Sequence, residues 1–343
     1  MIKKKSNFKT IALMSVLSAG LMVSGCDLDD WFSHDDGGGP SSALKSPSGI
    51  AFNGNNVYFT NSGNNSYTQC TVDTTGLIES NTCIRNKQIQ GLLSNPVGIA
   101  FNESYVYFIN SVSNSYTQCT VGTTGIESNT CATVMPSGLT NLLLNNPIGI
   151  TFNGNYAYIT NSNNNSYTQC TVGTTTGIES NTCATVMPFE SATTLLNSPS
   201  GIAFNQSYAY IINSNNNSYT QCTVGTTGIE SSTCVSVTPS GSGSLNNPFG
   251  IAFNESYVYI TNSSSSNSYT QCAVDTTGLI ESSTCVSVTP SGLGSLNYPK
   301  GIAFNGSYVY IVNGGYKSNS YTQCTVGATG IESNTCITIT PML

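Results

Sequence analysis

Short apolar runs alternate with polar segments along most of the chain. One run reads GIAFN and ends at an asparagine, and the next, such as YVYITNS from Tyr257, alternates aromatic or β-branched residues with others. SYTQCTV and STCVSV follow, and clusters of Gly, Asn, Ser or Thr separate the four runs. The runs are rich in strand-forming residues, and none carries apolar residues at helical spacing over about ten positions. The pattern predicts an all-β chain.

The four-strand unit occurs six times. Aligned on Pro-x-Gly-Ile, the repeats start at Pro47, Pro96, Pro147, Pro199, Pro248 and Pro299. A four-stranded sheet cannot bury both faces alone, so the repeats must stack, and radial stacking gives a β-propeller. We expect six four-stranded antiparallel blades over residues 47–343, with the Ile and Phe face of GIAFN packed on the Gly and Ala face of a neighbouring blade. A parallel β-solenoid is the alternative architecture.

The segments PSGIAFNGNNVYFTNS and PFGIAFNESYVYITNS resemble the first two strands of NHL-type propeller repeats. The resemblance extends over residues 47–343 and implies a third strand and an outer fourth strand in every blade. Two features depart from the NHL pattern, namely the paired cysteines and the longer repeat. The resemblance therefore supports the six-bladed propeller and leaves the cysteines to be explained.

Every repeat carries two cysteines, one in SYTQCTV and one just before the fourth strand. If these strands form a hairpin, the two cysteines lie opposite each other, and in an exported protein such regular pairs indicate disulfides. The expected pairs are Cys70–Cys83, Cys119–Cys131, Cys170–Cys183, Cys222–Cys234, Cys272–Cys285 and Cys324–Cys336. Zinc sites use closer spacings and histidines, so no metal is expected. Each bridge would hold the outer strand, which is the exposed edge of its blade.

The N-terminus predicts export and anchoring. Lys3, Lys4, Lys5 and Lys9 precede an apolar run from Thr10 to Val23 that has the layout of a secretory signal. The sequence Val-Ser-Gly-Cys that ends at Cys26 resembles the lipobox of bacterial lipoproteins, which implies cleavage of residues 1–25 and lipid on Cys26. An ordinary signal peptide is the alternative.

Residues 26–46 are acidic and then rich in Gly, Pro and Ser, which predicts a flexible tether. With the lipobox, this segment places the protein in a bacterial cell envelope. It would be anchored to a membrane through Cys26, facing the periplasm or the cell exterior.

The charge balance excludes one class of partner. Charged residues make up 7% of the chain, and the formal net charge is −7. Without the four lysines of the signal, five basic residues face 16 acidic ones, a net charge of −11 (5 − 16). Because no basic stretch could neutralise a run of phosphates, nucleic acid is not an expected partner.

The candidate catalytic chemistry is sparse. His34, the only histidine, lies in the tether, so a Ser-His-Asp or Cys-His system has no base in the propeller. Propeller enzymes similar to streptogramin lyases share this type of blade but rely on a histidine. One acidic residue recurs in each repeat: Glu79, Glu127, Glu179, Glu230, Glu281 and Glu332. We interpret these as solvated turn residues on the outer rim, with calcium binding as the alternative. The sequence therefore predicts no enzyme and no cofactor.

The candidate binding residues fall into two sets. An asparagine ends the second strand of every repeat: Asn61, Asn110, Asn161, Asn213, Asn262 and Asn313. These asparagines either form turns or ring one mouth of the central channel, where amides could bind a sugar or a peptide backbone. The second set departs from the repeat and comprises Arg85 and Lys87, Phe189 and Glu190, and the loop residues Tyr316 and Lys317.

Near-identical blades give symmetric surfaces, whereas catalysis needs different residues at one point. We therefore expect a protein- or glycan-binding or scaffold module. The alternatives are an extracytoplasmic propeller enzyme, either a lyase or a hydrolase with a site in the channel mouth, and a purely structural surface protein.

Overall fold

The six repeats form the six blades of a β-propeller, as expected from the sequence. A computed structural model describes residues 41–87, 89, 91–136, 143–190, 193–315 and 318–343. Each repeat builds one antiparallel sheet, and its strands follow one another outward in chain order. Each inner strand lies beside the inner strands of two neighbouring blades, and the sixth lies beside the first. The all-β fold is therefore a closed ring around a central channel.

The inner strand begins at the repeat's first proline and pairs with the second strand across a two-residue turn. The inner strands are Pro47–Asn53, Pro96–Asn102, Pro147–Asn153, Pro199–Asn205, Pro248–Asn254 and Pro299–Asn305. The second strands are Asn56–Asn61, Tyr105–Asn110, Tyr156–Asn161, Tyr208–Asn213, Tyr257–Asn262 and Tyr308–Asn313. We call the end of the propeller where the inner strands begin the mouth end, and the end with the two-residue turns the far end.

The third strand runs from the mouth end to the far end, and the outer strand returns beside it. The third strands are Ser66–Thr71, Ser115–Gly122, Ser166–Gly173, Ser218–Gly225, Ser268–Ala273 and Ser320–Gly327. The outer strands are Ile84–Lys87, Ala132–Val134, Ala184–Val186, Val235–Val237, Val286–Val288 and Ile337–Ile339.

The connection between the third and outer strands is more ordered than the loop expected from the sequence. In four blades a two-residue strand folds back on the third strand: Gly125–Ile126, Gly177–Ile178, Gly228–Ile229 and Gly330–Ile331. A 3-10 turn follows in every blade: Ser80–Thr82, Ser128–Thr130, Ser180–Thr182, Ser231–Thr233, Ser282–Thr284 and Ser333–Thr335. Phe189–Glu190 and Thr193–Thr194 add a small hairpin between blades 3 and 4. Within the described part of the chain, no helix has the length and apolar character to cross a membrane.

The core lies between blades rather than within them. Tyr58 of blade 1 packs on Phe101 of blade 2. Ala51 of blade 1 and Ile99 of blade 2 belong to the same buried cluster. The same tyrosine–phenylalanine contact recurs at all six junctions, with ring centroids 4.9–5.2 Å apart. The bulky face of GIAFN therefore packs on the small face of the preceding blade, as its alternation predicts.

Glycine lets the inner strands approach each other at the centre. A Cβ atom on Gly149 would lie 2.4 Å from the carbonyl oxygen of Ser200, and one on Gly301 would lie 2.7 Å from that of Ser48. The glycine of Pro-x-Gly-Ile is therefore required by the radial packing, because any side chain there would meet the backbone of the next blade.

The first and last repeats are joined by a short antiparallel contact. Ser42 pairs with Met342, and the Ala43 N–H donates to the Pro341 carbonyl at 2.8 Å. Ala43 and Leu44 are fully buried in the core of blades 6 and 1. The predicted tether of residues 26–46 is thus wrong at its end, because residues 41–46 belong to the propeller. The rest of the tether and the signal lie outside the described residues.

All six predicted disulfides are present, one in each blade. Their Cα–Cα separations are 4.0–4.1 Å. Cys119 lies one position beyond Gln118, which pairs with Ala132, so the register places Cys119 opposite Cys131. Cys119 is also packed in the core between blades 1 and 2. Each bridge therefore ties the outer strand to the buried interface between blades.

Candidate functional site

The asparagines that end the second strands are buried, so they cannot contact a ligand. All six are between 0 and 1% exposed. The Asn213 side-chain oxygen accepts from the Asn197 N–H at 3.1 Å, and its amide nitrogen donates to Ser218 Oγ at 3.1 Å and to Thr220 Oγ1 at 2.9 Å. The hypothesis of a ligand-binding ring at Asn61, Asn110, Asn161, Asn213, Asn262 and Asn313 is therefore wrong.

These asparagines hold the chain segment that enters their own blade. In every blade the side-chain oxygen accepts from an N–H 16 residues earlier, at 3.0–3.2 Å. The alternative hypothesis, that these asparagines are structural, was correct. Their hydrogen-bond partners, however, lie in the connection between blades rather than in a local turn. Sequence reasoning missed these partners because the partner segment varies from repeat to repeat.

A second series of asparagines joins neighbouring blades at the mouth end. The side-chain oxygen of Asn217, the last residue before the third strand of blade 4, accepts from the Asn247 N–H at 2.8 Å. All six junctions have this contact, at 2.7–3.2 Å, with Asn65, Asn114, Asn165, Asn217, Asn267 and Asn319 as acceptors. The repeated amides at this end are therefore structural, and the loop residues between the two series carry the exposed surface.

The central channel is narrow and apolar, and residues that differ between repeats stand at its mouth. A cavity of about 110 Å³ is lined by the glycines and isoleucines of the inner strands. The position between Pro and Gly-Ile, which we call the mouth position, is occupied by Ser48, Val97, Ile148, Ser200, Phe249 and Lys300. Sequence reasoning overlooked this position, although its variation within a near-identical motif was visible.

Lys300 is the one charged residue at the mouth positions. Its amine lies 5.7 Å from the centroid of the Phe249 ring, and its backbone carbonyl accepts from Thr261 Oγ1 at 2.6 Å. Burial lowers the pKa of the amine below its ordinary value. Its aliphatic stem packs against Gly314, where a Cβ atom would lie 2.5 Å from the lysine Cδ. The cation is thus held at the mouth end, near the ring of Phe249 in blade 5 and against Gly314 in blade 6.

Two serines at mouth positions differ in their hydrogen bonding. Ser200 Oγ donates to the Phe249 carbonyl at 3.0 Å. The Ser48 hydroxyl is fully buried beside the channel and has no hydrogen-bond partner among the residues described. Buried polar groups are nearly always hydrogen-bonded. The unpaired Ser48 hydroxyl, near the junction of blades 6 and 1, is an exception.

The recurring glutamates lie at the far end and bond within their own blades. Thr223 Oγ1 donates to Glu230 Oε2 at 2.8 Å, and Thr233 Oγ1 donates to the Glu230 carbonyl at 2.7 Å. The carboxylate contact recurs in five blades, and Ala273 replaces the threonine in the blade of Glu281. This arrangement favours the turn interpretation. Within the described part of the chain, no group of three His, Cys, Asp or Glu could hold a metal ion.

Two aspartates at the far end stabilise the longer turns of blades 1 and 5. Asp73 Oδ1 accepts from Thr75 Oγ1 at 2.7 Å and from the Leu77 N–H at 2.9 Å. These hydrogen bonds, the one from the Thr75 side chain foremost, lower the pKa of Asp73. Asp275 makes the same contacts in blade 5.

The described carboxylates lie at one end of the propeller. Every carboxylate with a described side chain lies on a far-end turn or connection: Asp73, Glu79, Glu103, Glu127, Glu179, Glu230, Glu255, Asp275, Glu281 and Glu332. All basic residues of 41–343 belong to blades 1 and 6, namely Lys45, Arg85, Lys87, Lys300 and Lys317. Lys45 is exposed at the mouth end, next to Ser46, whose N–H donates to Asn319 of blade 6.

The irregular residues singled out from the sequence are only partly described. Arg85 donates to the Ala43 carbonyl at 3.2 Å and also to that of Ser42, so it helps close the ring. Phe189 is 57% exposed. Tyr316 and Lys317 lie outside the described residues, as do the side chains of Lys87 and Glu190. Lys300 was not among the sequence candidates, although its motif, PKGI, shows the departure.

Comparison with solved structures shows the fold alone. The chain is similar to a catalytically inactive virginiamycin B lyase from Staphylococcus aureus, with 17% identity, a TM-score of 0.53, and coverage of 86% of this chain and 84% of the lyase. A periplasmic gluconolactonase from Pseudomonas aeruginosa gives 12% identity, a TM-score of 0.55, and coverage of 86% and 85%. A chain of a nidogen–laminin complex gives 13% identity, a TM-score of 0.54, and coverage of 80% of this chain and 94% of that chain.

No protein-family model matches the sequence, and no curated protein matches it. The similar structures include enzymes and a chain from a protein complex, so the six-bladed propeller is compatible with catalysis and with binding. Function must be argued from the residues of this chain.

Proposed function

We propose that this NHL-like propeller is an extracytoplasmic, lipid-anchored binding module whose ligand contacts the mouth end. The observation that carries the proposal is the separation of its two ends. The described carboxylates are all at the far end, whereas the mouth end combines exposed polar loops with mouth positions that differ between blades. Paired carboxylates that act together in acid–base catalysis lie within about 10 Å of each other. The mouth end is therefore the surface that we propose contacts the ligand.

The exposed loops between second and third strands suit a glycan or a protein backbone. Asn64, Asn215, Asn216 and Ser265 are exposed there and present amides or hydroxyls that donate and accept hydrogen bonds. Most of these loops are uncharged, so recognition would rest on hydrogen bonds and on the few departures from symmetry.

The proposed location rests on the cysteines. Six disulfides are typical of a protein that folds in an oxidising compartment, outside the bacterial cytoplasm. The lipobox-like sequence ending at Cys26 then supplies the anchor. Labelling cells with a lipid precursor should mark the protein, and Cys26→Ser should abolish the label. A label that persists in this variant would contradict lipidation.

The competing function is an enzyme with a site in the channel mouth. One observation favours it, because Lys300 is partly desolvated and burial lowers its pKa, which are the properties of an amine that acts as a base or a nucleophile. Binding is the stronger proposal because the described carboxylates that could cooperate with this amine are at the other end of the propeller.

The test separates the two ends. The lipid-free mature domain would be applied to a glycan array and used to capture partners from envelope extract. Asn215→Ala with Asn216→Ala changes an exposed mouth-end loop, and Thr226→Ala with Thr227→Ala changes exposed far-end residues of the same blade. We expect only the mouth-end variant to lose captured ligand. Equal loss from both variants would contradict the proposal, and no ligand at all would favour a purely structural protein.

A further inference from the structure

We propose that the mouth end contains one oxyanion-binding site, centred on Lys300 where blades 5, 6 and 1 meet, and that its ligand is an acidic glycan held by its anionic group. This inference rests on the proposed binding function and adds the ligand class. Three observations support it: a pair of coupled departures from the repeat, a cation without an anionic partner among the described residues, and an exposed aromatic ring.

Lys300 and Gly314 depart from the repeat together. The residue after the last asparagine of the second strand is a serine in the first five blades and Gly314 in the sixth. A Cβ atom on Gly314 would lie 2.5–2.8 Å from the Cδ, Cε and Cγ atoms of Lys300. The lysine stem therefore occupies the space that the serine side chain would need. Two matched changes in contact with each other indicate that this position of the amine is selected rather than incidental.

The Lys300 amine has no anionic partner among the described residues. Its recorded neighbour is the face of Phe249, which interacts weakly with a cation. A half-buried charge without a partner is costly, and a bound oxyanion would remove that cost. Because the described carboxylates lie at the far end, the amine is left for an anion that comes from outside the protein.

Ser48 stands at the adjacent mouth position, on the neighbouring inner strand, but its side chain is closed to a ligand. The inner strands of blades 6 and 1 touch, since a Cβ atom on Gly301 would lie 2.7 Å from the Ser48 carbonyl oxygen. Ser48 is one of the residues around the channel cavity, but its side chain is fully buried and its hydroxyl has no partner among the described residues. A hydroxyl without exposed surface cannot contact a ligand, so the site rests on the Lys300 amine.

The surroundings favour an acidic glycan over other anionic ligands. Tyr298, two residues before Lys300, is 45% exposed at the mouth end and offers an aromatic face to a sugar ring. The neighbouring loop of blade 5 exposes the hydroxyls of Ser265 and Ser266 and carries no charge. A partly buried cation beside uncharged hydrogen-bonding groups fits a sugar chain that carries sparse carboxylates or phosphates.

The first test measures the amine directly. Residues 41–343 contain four lysines, so ¹³C-dimethylation of the lipid-free domain gives four lysine signals beside that of the N-terminal amine, and Lys→Gln variants assign them. Glucuronate oligosaccharides and glycerol phosphate oligomers would be titrated separately, because they distinguish a carboxylate from a phosphate. We expect the Lys300 signal to shift saturably and its pKa to rise, while exposed Lys45 shows only an unsaturated change with ionic strength. Parallel, unsaturated shifts at both lysines would overturn the site.

The second test uses matched variants on acidic and neutral glycans. Lys300→Gln removes the charge, and Gly314→Ser keeps it but displaces the lysine stem. We expect each to weaken acidic-glycan binding about tenfold or more, the equivalent of one charge-assisted hydrogen bond, while Lys45→Gln changes it less than about twofold.

The outcomes separate the two proposals. If Asn215→Ala with Asn216→Ala abolishes glycan binding and Lys300→Gln leaves it intact, the binding function stands and the anion site is wrong. If neither set of variants affects binding, the mouth-end proposal itself fails. Selective capture of acidic peptides in place of glycans would contradict the ligand class.

Discussion

The far end and the mouth end of the propeller arise from the same repeats, yet they differ in how faithfully those repeats are copied. At the far end a Thr-Gly pair occurs in every blade, and its glycine has a positive φ between 72° and 129°. This glycine lies close to the preceding blade. Beside Gly228, for example, Gln169 of blade 3 donates to the Thr227 carbonyl at 2.8 Å. At the mouth end five different residue types occupy the mouth position, which is serine in blades 1 and 4 and lysine in blade 6.

This difference separates support from recognition. Identical residues at six places satisfy the same packing requirement six times, which holds for the glutamates, the far-end glycines and both series of mouth-end asparagines. The side chain at the mouth position does not have to meet the same packing requirement in each blade, because the neighbouring inner strand contacts it through its backbone. Changes at copied residues should therefore reduce stability at either end, and changes at the mouth position should affect binding alone.

The largest expected effect involves a copied residue type in every blade. Burial raises the pKa of the Tyr58, Tyr67 and Tyr158 hydroxyls to about 12, against about 10 in an unfolded chain. The unfolded state therefore loses these protons first, so the stabilising contribution is complete below pH 10 and is lost as the pH rises through the folded pKa. We expect cooperative unfolding between about pH 10 and 12, with tyrosine absorbance and far-UV circular dichroism changing together. Gradual ionisation of every tyrosine in an intact fold would contradict it.

Removal of one disulfide should have the next largest effect. Cys272→Ala with Cys285→Ala opens a bridge between residues 13 apart, which costs about 3 kcal/mol in the chain-entropy model. Denaturant unfolding of the oxidised variant measures the loss. Hydrogen exchange should show faster exchange at Val286–Val288 than at the inner strand Pro248–Asn254. Uniform acceleration over the whole blade would show that the bridge supports more than the outer strand.

A copied asparagine and an exposed one in the same loop sharpen the comparison at the mouth end itself. Asn213→Ala removes four hydrogen bonds and leaves buried partners unpaired, so we expect it to lower the free energy of unfolding by about 2 kcal/mol. Asn215→Ala changes an exposed side chain and should alter stability by less than about 0.5 kcal/mol. Urea titration of both variants measures the difference, and similar values would contradict the structural role of Asn213.

The smallest effect on stability is expected at the mouth position. Lys300→Met retains the stem over Gly314 and removes a partly buried cation, so the unfolding free energy should stay within about 0.5 kcal/mol or rise slightly at pH 7. Because burial lowers the pKa of this amine in the folded state, the wild type should gain stability relative to the variant as the pH rises towards the ordinary lysine value. A large loss of stability would place Lys300 among the supporting residues.

The architecture was predictable because it depends on features repeated in the sequence. Six copies of Pro-x-Gly-Ile, four strand-like runs in each copy and two regularly spaced cysteines define the blades, their number and the six bridges. The end of the tether was missed because Ala43 and Leu44 replace the connection from a preceding blade, and this role is visible only in a closed ring.

The site was harder to predict because copying attracts attention to residues that turn out to be structural. The terminal asparagine of the second strand is polar and occurs six times, yet its partner is an N–H 16 residues earlier that no local pattern reveals. Lys300 matters through its contact with Gly314, and these two residues are joined only when the inner and second strands pair. Sequence spacing alone does not bring them together.

The local pairing of the cysteines has a consequence for how the chain matures. Each cysteine of the propeller bonds with the cysteine nearest to it in its own repeat, 12 or 13 residues away. A chain that leaves the cytoplasm with its N-terminus first would expose the two members of a pair in succession, before the next pair. Oxidation in order of emergence then yields the native bridges without reshuffling by an isomerase. The contacts that close the ring, such as that of Ser42 with Met342, must wait for the last repeat to arrive.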